Sequence, residues 1–105
     1  MVADHLPAAA ISTVNIAEVI SKLVDHGMQA SEVASMIDSL DITVVPFDIR
    51  QAVQASGLRN DTRQAGLSLG DRACLALAQH LRAPAMTSDR AWKKVKLDVE
   101  IVLIR

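Results

Sequence analysis

The chain has 105 residues, of which half are apolar and 22% are charged. It is therefore long enough to bury a core and too apolar to remain disordered. Aromatic residues make up 2% of the chain, which argues against a surface that stacks bases on aromatic rings. The net charge of −1 argues against an overall basic field for nucleic acid.

Cysteine, histidine and hydropathy patterns restrict the chemistry further. Cys74 is the single cysteine and lies in the apolar run CLALA, so we expect a buried structural thiol. His5, His26 and His80 are scattered without metal-binding spacing, which argues against a zinc site. The uninterrupted apolar runs are too short for a signal peptide or a membrane span, so we expect one soluble cytoplasmic domain over residues 1–105.

The first half of the chain predicts a strand, two helices and a second strand. The short apolar run at residues 8–12 predicts a buried strand. Apolar residues at helical spacing predict a helix over residues 15 to about 26, closed by Gly27 at the C′ position. A second helix, capped by Ser31, follows, and the β-rich run ITVVPF at 42–47 predicts the next strand.

The second half predicts three helices and two strands. Asp48 caps a helix that runs towards Leu58, residues 59–67 form a polar connection, and Ser68 opens a helix that is apolar nearly all round. The remaining elements are a short strand, a short basic helix and a final strand, at residues 85–88, 90–96 and 100–104. The order βααβααβαβ predicts an α/β fold of three layers, in which helices cover both faces of a mainly parallel sheet.

Three acidic residues, Glu18, Asp71 and Asp89, lie at the starts of predicted helices. Two of these helices follow short apolar strands, and strand-to-helix turns are where parallel sheets place their sites. Each has an alternative role at a helix start. Asn15 and Glu18 fit a capping box, as do Ser68 and Asp71, and Asp89 can cap the short basic helix. Together, three carboxylates at one sheet edge would hold Mg²⁺ or Mn²⁺ for phosphodiester hydrolysis, and the two roles do not exclude each other.

Basic residues close to these acids would suit a phosphodiester substrate. Arg72 follows the second acid directly, and Arg90, Lys93, Lys94 and Lys96 follow the third. A solvated charged face explains the same residues equally well.

At these residues the chain resembles PIN-domain proteins, most closely the VapC-type ribonuclease toxins of bacterial toxin–antitoxin pairs. The matching segments occur in family order over essentially the whole chain, as ISTVNIAEVISKL, VVPFD, LSLGDRACLALAQHL, TSDRAW and a closing EIVLIR. The resemblance implies a PIN-like fold, a metal site of Glu18, Asp71 and Asp89, an RNA substrate and an antitoxin partner. It also implies further polar site positions at Ser12, Asn15 and Thr87 or Ser88.

The family pattern begins with a strand that carries a fourth acid, and no such strand precedes residues 8–12 here. Val2, Ala3 and Leu6 look like the end of an earlier helix, and Asp4 does not take the place of the first acid. The sequence therefore predicts an N-terminally truncated PIN-like domain with weak or no activity. Because the missing strand is central in the family's sheet, its neighbours would have unpaired inner edges, which predicts a homodimer or a higher oligomer.

Three functions remain as alternatives at this stage. The first is a metal-dependent endoribonuclease toxin homologue, with Arg72, Arg90 and Lys93 guiding RNA. The second is a non-catalytic PIN-like module that binds an antitoxin or dimerises. The third is a small α/β domain whose acids only cap helices. Convergence of the three carboxylates on one pocket is the geometric prediction of the first function.

Overall fold

The computed structural model describes residues 9–87 and 89–103. The chain divides into two compact units, of which the first ends at Pro46 and the second begins at Phe47. Each unit has one described pair of parallel strands together with its own helices.

Within residues 9–46, the first unit contains a strand, two helices and a second strand: β1 Ala10–Ser12, α1 Thr13–Asp25, α2 Ala30–Asp38 and β2 Thr43–Val45. The strands β1 and β2 are parallel, with Ile11 opposite Val44. Parallel strands need a crossover connection, and α1 with α2 provides it. The predicted strands and helices of this half are confirmed, with β2 shorter than the run 42–47.

The end of α1 confirms the prediction for Gly27. Its φ is +99°, a conformation that glycine adopts without steric cost. The Gly27 N–H donates to the Val24 carbonyl and the Met28 N–H donates to the Leu23 carbonyl. These two bonds form a Schellman motif, which satisfies carbonyls that the helix end leaves open.

The start of α2 differs from the prediction. The N-cap is Gln29, whose side chain makes no capping bond, and Ser31 lies inside the helix as its second residue. The Ser31 carbonyl instead accepts a hydrogen bond from Ser35 Oγ at 3.1 Å. The prediction that Ser31 caps this helix was therefore wrong.

The described part of the second unit, residues 47–87 and 89–103, contains three helices, two strands and a short 3₁₀-helix: α3 Ile49–Gly57, α4 Arg59–Thr62, α5 Leu69–Leu81, β3 Ala85–Thr87, the 3₁₀-helix Arg90–Lys94 and β4 Ile101–Leu103. The strands β3 and β4 are parallel, with Met86 opposite Val102. Asp48 caps α3 as predicted, since its Oδ1 accepts the Gln51 N–H at 2.9 Å. The predicted polar connection at 59–67 contains α4, which is a single helical turn. Its residues are polar, so no apolar periodicity in the sequence predicts this helix.

The core of the second unit is built from small and aliphatic side chains around one tryptophan. Its buried members are Ala55, Leu58, Leu75, Ala76, Ala78, Ala85, Trp92 and Val99. Alanine on α3 and α5 lets the two helices pack closely, which agrees with the scarcity of aromatic residues. Cys74 is half-buried and packs against this core, as a structural thiol would.

The α/β class and the parallel pairing of strands are confirmed. Several predicted features lie outside the described residues: the helix-like start with Val2, Ala3, Asp4, His5 and Leu6, and the strand ends Ala8, Ser88 and Ile104. Within the described ranges, no helix has the length and apolar character needed to cross a membrane.

Candidate functional site

Glu18 lies on the exposed surface of α1, as the sixth residue of the helix. Asn15, one turn earlier, donates from Nδ2 to Glu18 Oε1 at 3.2 Å. The N-cap of α1 is Ser12, whose Oγ accepts the Val14 N–H at 3.2 Å. The predicted capping box of Asn15 and Glu18 was therefore wrong, and the Glu18 carboxylate does not cap the helix.

Asp71 occupies the third position of α5 and takes part in a capping box with Ser68. The Ser68 N–H donates to Asp71 Oδ2 at 3.0 Å, and the Asp71 N–H donates to Ser68 Oγ at 3.2 Å. This capping box is the one that the sequence predicted. A negative charge here is also favoured by the positive end of the helix dipole.

Asp89 is the N-cap of the 3₁₀-helix that follows β3. Its Oδ1 accepts the Ala91 N–H at 2.9 Å, and its own N–H donates to Thr87 Oγ1 at 3.0 Å. The predicted cap is confirmed, and Thr87, which closes β3, fixes the backbone of the turn.

The three carboxylates share one arrangement. In each, one oxygen accepts a hydrogen bond from a donor two or three residues away. The other oxygens, Glu18 Oε2, Asp71 Oδ1 and Asp89 Oδ2, accept none from the residues that the structure describes. Each carboxylate is thus held in orientation and keeps an oxygen with free lone pairs. Carboxylate oxygens of this kind are the ligands that Mg²⁺ and Mn²⁺ prefer, so the donor set fits such a cation.

The three acidic residues do not all lie in the same unit. Asp71 and Asp89 belong to the second unit, at the start of α5 and just after the end of β3. Because only residues 82–84 join α5 to β3, the chain reverses there, and we expect both carboxylates on one side of this unit. Glu18 belongs to the first unit. Among residues 9–87 and 89–103, no three His, Cys, Asp or Glu side chains form a ready metal-binding group. Convergence of all three acids stays a prediction.

Two of the predicted RNA-contacting cations already bind backbone carbonyls. Arg72 donates from Nη1 to the Ala55 carbonyl at 3.1 Å, and Lys93 donates from Nζ to the Ile101 carbonyl at 2.9 Å. These bonds join α5 to α3 and the 3₁₀-helix to β4. Both side chains therefore stabilise the second unit, whatever else they contact.

The other predicted polar positions have separate surroundings. Ser12 is fully buried and its hydroxyl holds the start of α1, while Asn15 orients Glu18. Arg90 is exposed on the 3₁₀-helix. Ser88 lies outside the described residues.

The sequence reasoning did not identify the surface that surrounds Glu18. It is an open face of α1 formed by Val14, Ala17, Glu18, Ser21 and Lys22. Val14 lies four residues before Glu18, and Ser21 and Lys22 lie three and four residues after it, so helical spacing would have found these three neighbours.

Parallel strands followed by turns with ionised side chains are features of open α/β proteins that place a site at the carboxyl edge of the sheet. The chain belongs to the PIN domain family, whose model matches residues 2–97. The PIN domain is commonly a nuclease fold and typically depends on divalent metal ions. No curated protein and no solved structure matched the chain.

Proposed function

We propose that the protein is a metal-dependent endoribonuclease of the VapC toxin type, in which Glu18, Asp71 and Asp89 together bind Mg²⁺ or Mn²⁺. The observation that carries this proposal is the shared state of the three carboxylates, with one oxygen held and the other open. Membership of a family that is commonly nucleolytic and metal-dependent supports it independently.

The chain's own residues would prepare this site before RNA arrives. A divalent cation, when bound, supplies an activated water and offsets the charge that develops on the phosphate. The Asn15 amide and the backbone N–H groups of Ser68 and Ala91 keep the acids oriented. Preorganised ligands avoid part of the ordering cost of binding, which favours the site over three freely rotating carboxylates.

RNA contacts in this proposal come from residues beside the acids. They are Asn15, Arg72, Ser88, Arg90 and Lys93. Ser12, which is fully buried, would support the site by holding the start of α1. Arg72 and Lys93 each donate one hydrogen bond within the second unit and have further N–H groups for a phosphate. An antitoxin protein is the proposed macromolecular partner, by the resemblance to toxin–antitoxin pairs.

A second candidate function is a non-catalytic PIN-like module that binds an antitoxin or dimerises. The observation that favours it is the pair of neighbouring exposed apolar side chains on α3, Ile49 and Val53, which suits a protein interface. The two candidates differ in whether a metal binds at the acids.

The metal site is tested with a pair of variants at the same capping box. Asp71→Asn removes the charge but keeps an oxygen that can accept the Ser68 N–H. We expect Mn²⁺ affinity to fall at least about tenfold, since even residues that only support a metal ligand cost that much. Ser68→Ala instead removes a capping hydroxyl, which should cost about 1 kcal/mol of stability while Mn²⁺ affinity is kept. Isothermal titration calorimetry with Mn²⁺ and chemical unfolding measure the two effects.

Catalysis is tested on a labelled single-stranded RNA. Cleavage should require added Mg²⁺ or Mn²⁺, stop in excess EDTA and be lost in Asp71→Asn. Full cleavage in EDTA would contradict the metal mechanism. Equal Mn²⁺ affinity in wild type and Asp71→Asn, together with no cleavage, would instead support the non-catalytic module.

A further inference from the structure

The second unit contains an open pocket whose walls come from three parts of the chain. They are α3, the end of α5 with the turn after it, and the segment that leads into β4. The volume of about 720 Å³ lies within the range of sites for small organic molecules, about 300 to 1,000 Å³. A ligand there would be contacted from more than one side. The polar lining residues are Gln54, Gln79, Arg82, Asp98 and Glu100.

This pocket lies apart from the proposed metal site. Residues 82–84 and 98–100 directly precede β3 and β4, so the pocket is at the amino edge of this parallel pair, whereas Asp89 follows the carboxyl end of β3. Asp71 is near the start of α5 and Arg82 follows its end, about 16 Å away at a rise of about 1.5 Å per residue. A small ligand in the pocket would therefore not touch the proposed metal.

Hydrogen bonds between side chains join the walls of the pocket. Gln54 Nε2 donates to Gln79 Oε1 at 2.7 Å, and Gln79 Nε2 donates to Asp98 Oδ1 at 3.0 Å. These bonds link α3, α5 and the segment before β4, and they hold the Asp98 carboxylate in one orientation. Asp98 Oδ2 accepts no hydrogen bond from the residues that the structure describes, so it is available to a donor on a ligand.

The pocket contains charges of both signs that do not pair with each other. Within the described ranges, neither the exposed Arg82 guanidinium nor the Glu100 carboxylate makes a hydrogen bond or an ion pair. Asp98 and Glu100 are exposed on either side of the buried Val99, so both carboxylates lie away from the core. A ligand that satisfies these groups must bring an anion for Arg82 and a cation for the two acids.

The backbone at Arg82 gives a reason to look for a role of its side chain. Arg82 ends α5 in the left-handed conformation, with φ 53° and ψ 45°, and it is the one non-glycine residue with a positive φ in the described part of the chain. Glycine is usual at this position because it has no Cβ. Residues held in such sparsely populated conformations cluster at ligand sites, so the arginine side chain is the feature to explain.

We propose that this pocket binds a free α-amino acid, with its carboxylate at Arg82 and its ammonium at Asp98 and Glu100. The two opposite charges of such a ligand match the two unpaired signs of the lining. A phosphate or nucleotide is disfavoured because the pocket has one cation against two acids, and a simple cation would leave Arg82 without a partner. The ligand's side chain would lie along Ala83 and Pro84, the apolar part of the lining. This inference does not depend on the proposed function.

The first experiment identifies the ligand. The full chain is unfolded thermally with each standard amino acid at millimolar concentration, in EDTA and without RNA, and binding is then measured by isothermal titration calorimetry. At least one amino acid should raise the unfolding midpoint, since a ligand that binds only the folded chain stabilises it by mass action. The N-acetyl and carboxamide derivatives of that amino acid should bind at least about tenfold more weakly, because each lacks one of the two charges.

Variants of the lining then test where the amino acid binds. Arg82→Gly should weaken binding at least about tenfold and yet keep or raise the unfolding midpoint, because glycine adopts this φ without a Cβ. Asp98→Asn should also weaken binding, although it keeps an oxygen for the Gln79 amide. The matched controls Arg59→Gln and Asp61→Asn each remove an exposed charge of the same unit outside the pocket, and both should bind as wild type.

Three results would overturn the inference. They are the absence of binding by any amino acid, wild-type affinity in both Arg82→Gly and Asp98→Asn, and an equal loss of affinity in the two controls, which would mean that only the net charge matters. Asp71→Asn should bind the amino acid as wild type, because α5 separates Asp71 from the pocket. A failure of metal-dependent cleavage therefore leaves this measurement unaffected, and a failure of amino-acid binding leaves the proposed function unaffected.

Discussion

Arg72 shows that a side chain proposed to contact RNA also supports the fold. Its guanidinium donates from Nη1 to the Ala55 carbonyl and so joins α5 to α3, the two helices that enclose much of the second unit's core. The same fork geometry leaves several N–H groups for a phosphate. Its position beside Asp71 in the sequence suggests only a phosphate contact. A hydrogen bond to a carbonyl 17 residues away leaves no local sequence pattern.

Removal of this guanidinium should therefore lower stability. In Arg72→Gln we expect the free energy of unfolding to fall by about 1 to 2 kcal/mol, since the charged donor to the carbonyl of the buried Ala55 is lost. Urea unfolding followed by circular dichroism measures the change. Arg63→Gln is the control, because its guanidinium donates to the side chain of Asn60, three residues earlier, at an exposed site. A surface change of this kind stays within about 0.5 kcal/mol. An unchanged unfolding midpoint in Arg72→Gln would show that the bond to Ala55 is not a stabilising one.

At a helix end, backbone conformation can decide how a substitution changes stability, even where the new side chain touches no other atom. Gly27 and Gly57 make this testable, because a Cβ built at either position meets no atom within 4 Å. Gly27 has a φ of +99° after α1, whereas Gly57 lies within α3. The two glycines thus differ in backbone conformation, since Gly57 is the last helical residue of α3 and Gly27 has a positive φ beyond the end of α1.

Alanine should have opposite effects at the two positions. Gly27→Ala should destabilise the protein by about 1 kcal/mol, because an L side chain is strained at this φ. Gly57→Ala should stabilise it by about 0.5 to 1 kcal/mol, because alanine loses less backbone entropy on entering a helix. Thermal unfolding of the two variants beside wild type measures both signs. A gain of stability in Gly27→Ala would mean that the Schellman turn does not persist in solution.

The sequence predicted the elements that carry strong local signals. Ser68 with Asp71, Asp48 and Gly27 each marked a helix end by a short-range hydrogen bond or a required φ, and each is confirmed. Errors came where two residue types compete for one role. Ser12 caps α1 although Asn15 has the same capacity, because the strand ends at Ser12 and the helix begins at once.

The sequence predicted which residues form the candidate site, but it did not predict how their side chains are arranged in space. Its acids could be named from the strand-to-helix turns and the family motifs, and the bonds of Asp71 and Asp89 follow from helix capping. The Asn15 contact with Glu18 could be predicted only with the correct helix start. The helix begins at Thr13, which places Asn15 in its first turn. Convergence of acids from two units depends on contacts far apart in sequence, which local patterns do not encode.

Across the whole chain, apolar surface remains exposed in both units. Large apolar side chains that are at least 40% exposed include Val19, Val24, Met36, Leu40, Val44, Ile49, Val53, Leu69, Leu81, Met86 and Leu103. Single exposed apolar residues are ordinary, but Ile49 and Val53 are 80% and 67% exposed one turn apart on α3. Adjacent apolar side chains of this kind are typical of surfaces that bind protein.

We therefore expect the chain to form a homodimer or a higher oligomer, with the exposed face of α3 in the interface. Light scattering after size exclusion should give at least twice the mass of one chain at high protein concentration. The double variant Ile49→Glu, Val53→Glu should shift the mass towards the monomer, because two charges would have to be buried in the interface. The matched control Arg50→Glu, Ser56→Glu also adds two carboxylates to exposed positions of α3 but leaves both apolar side chains in place, and it should keep the wild-type mass. A monomer mass for the wild-type chain at every concentration would contradict self-association, and an unchanged mass in the Ile49 and Val53 variant would place the interface elsewhere on the chain.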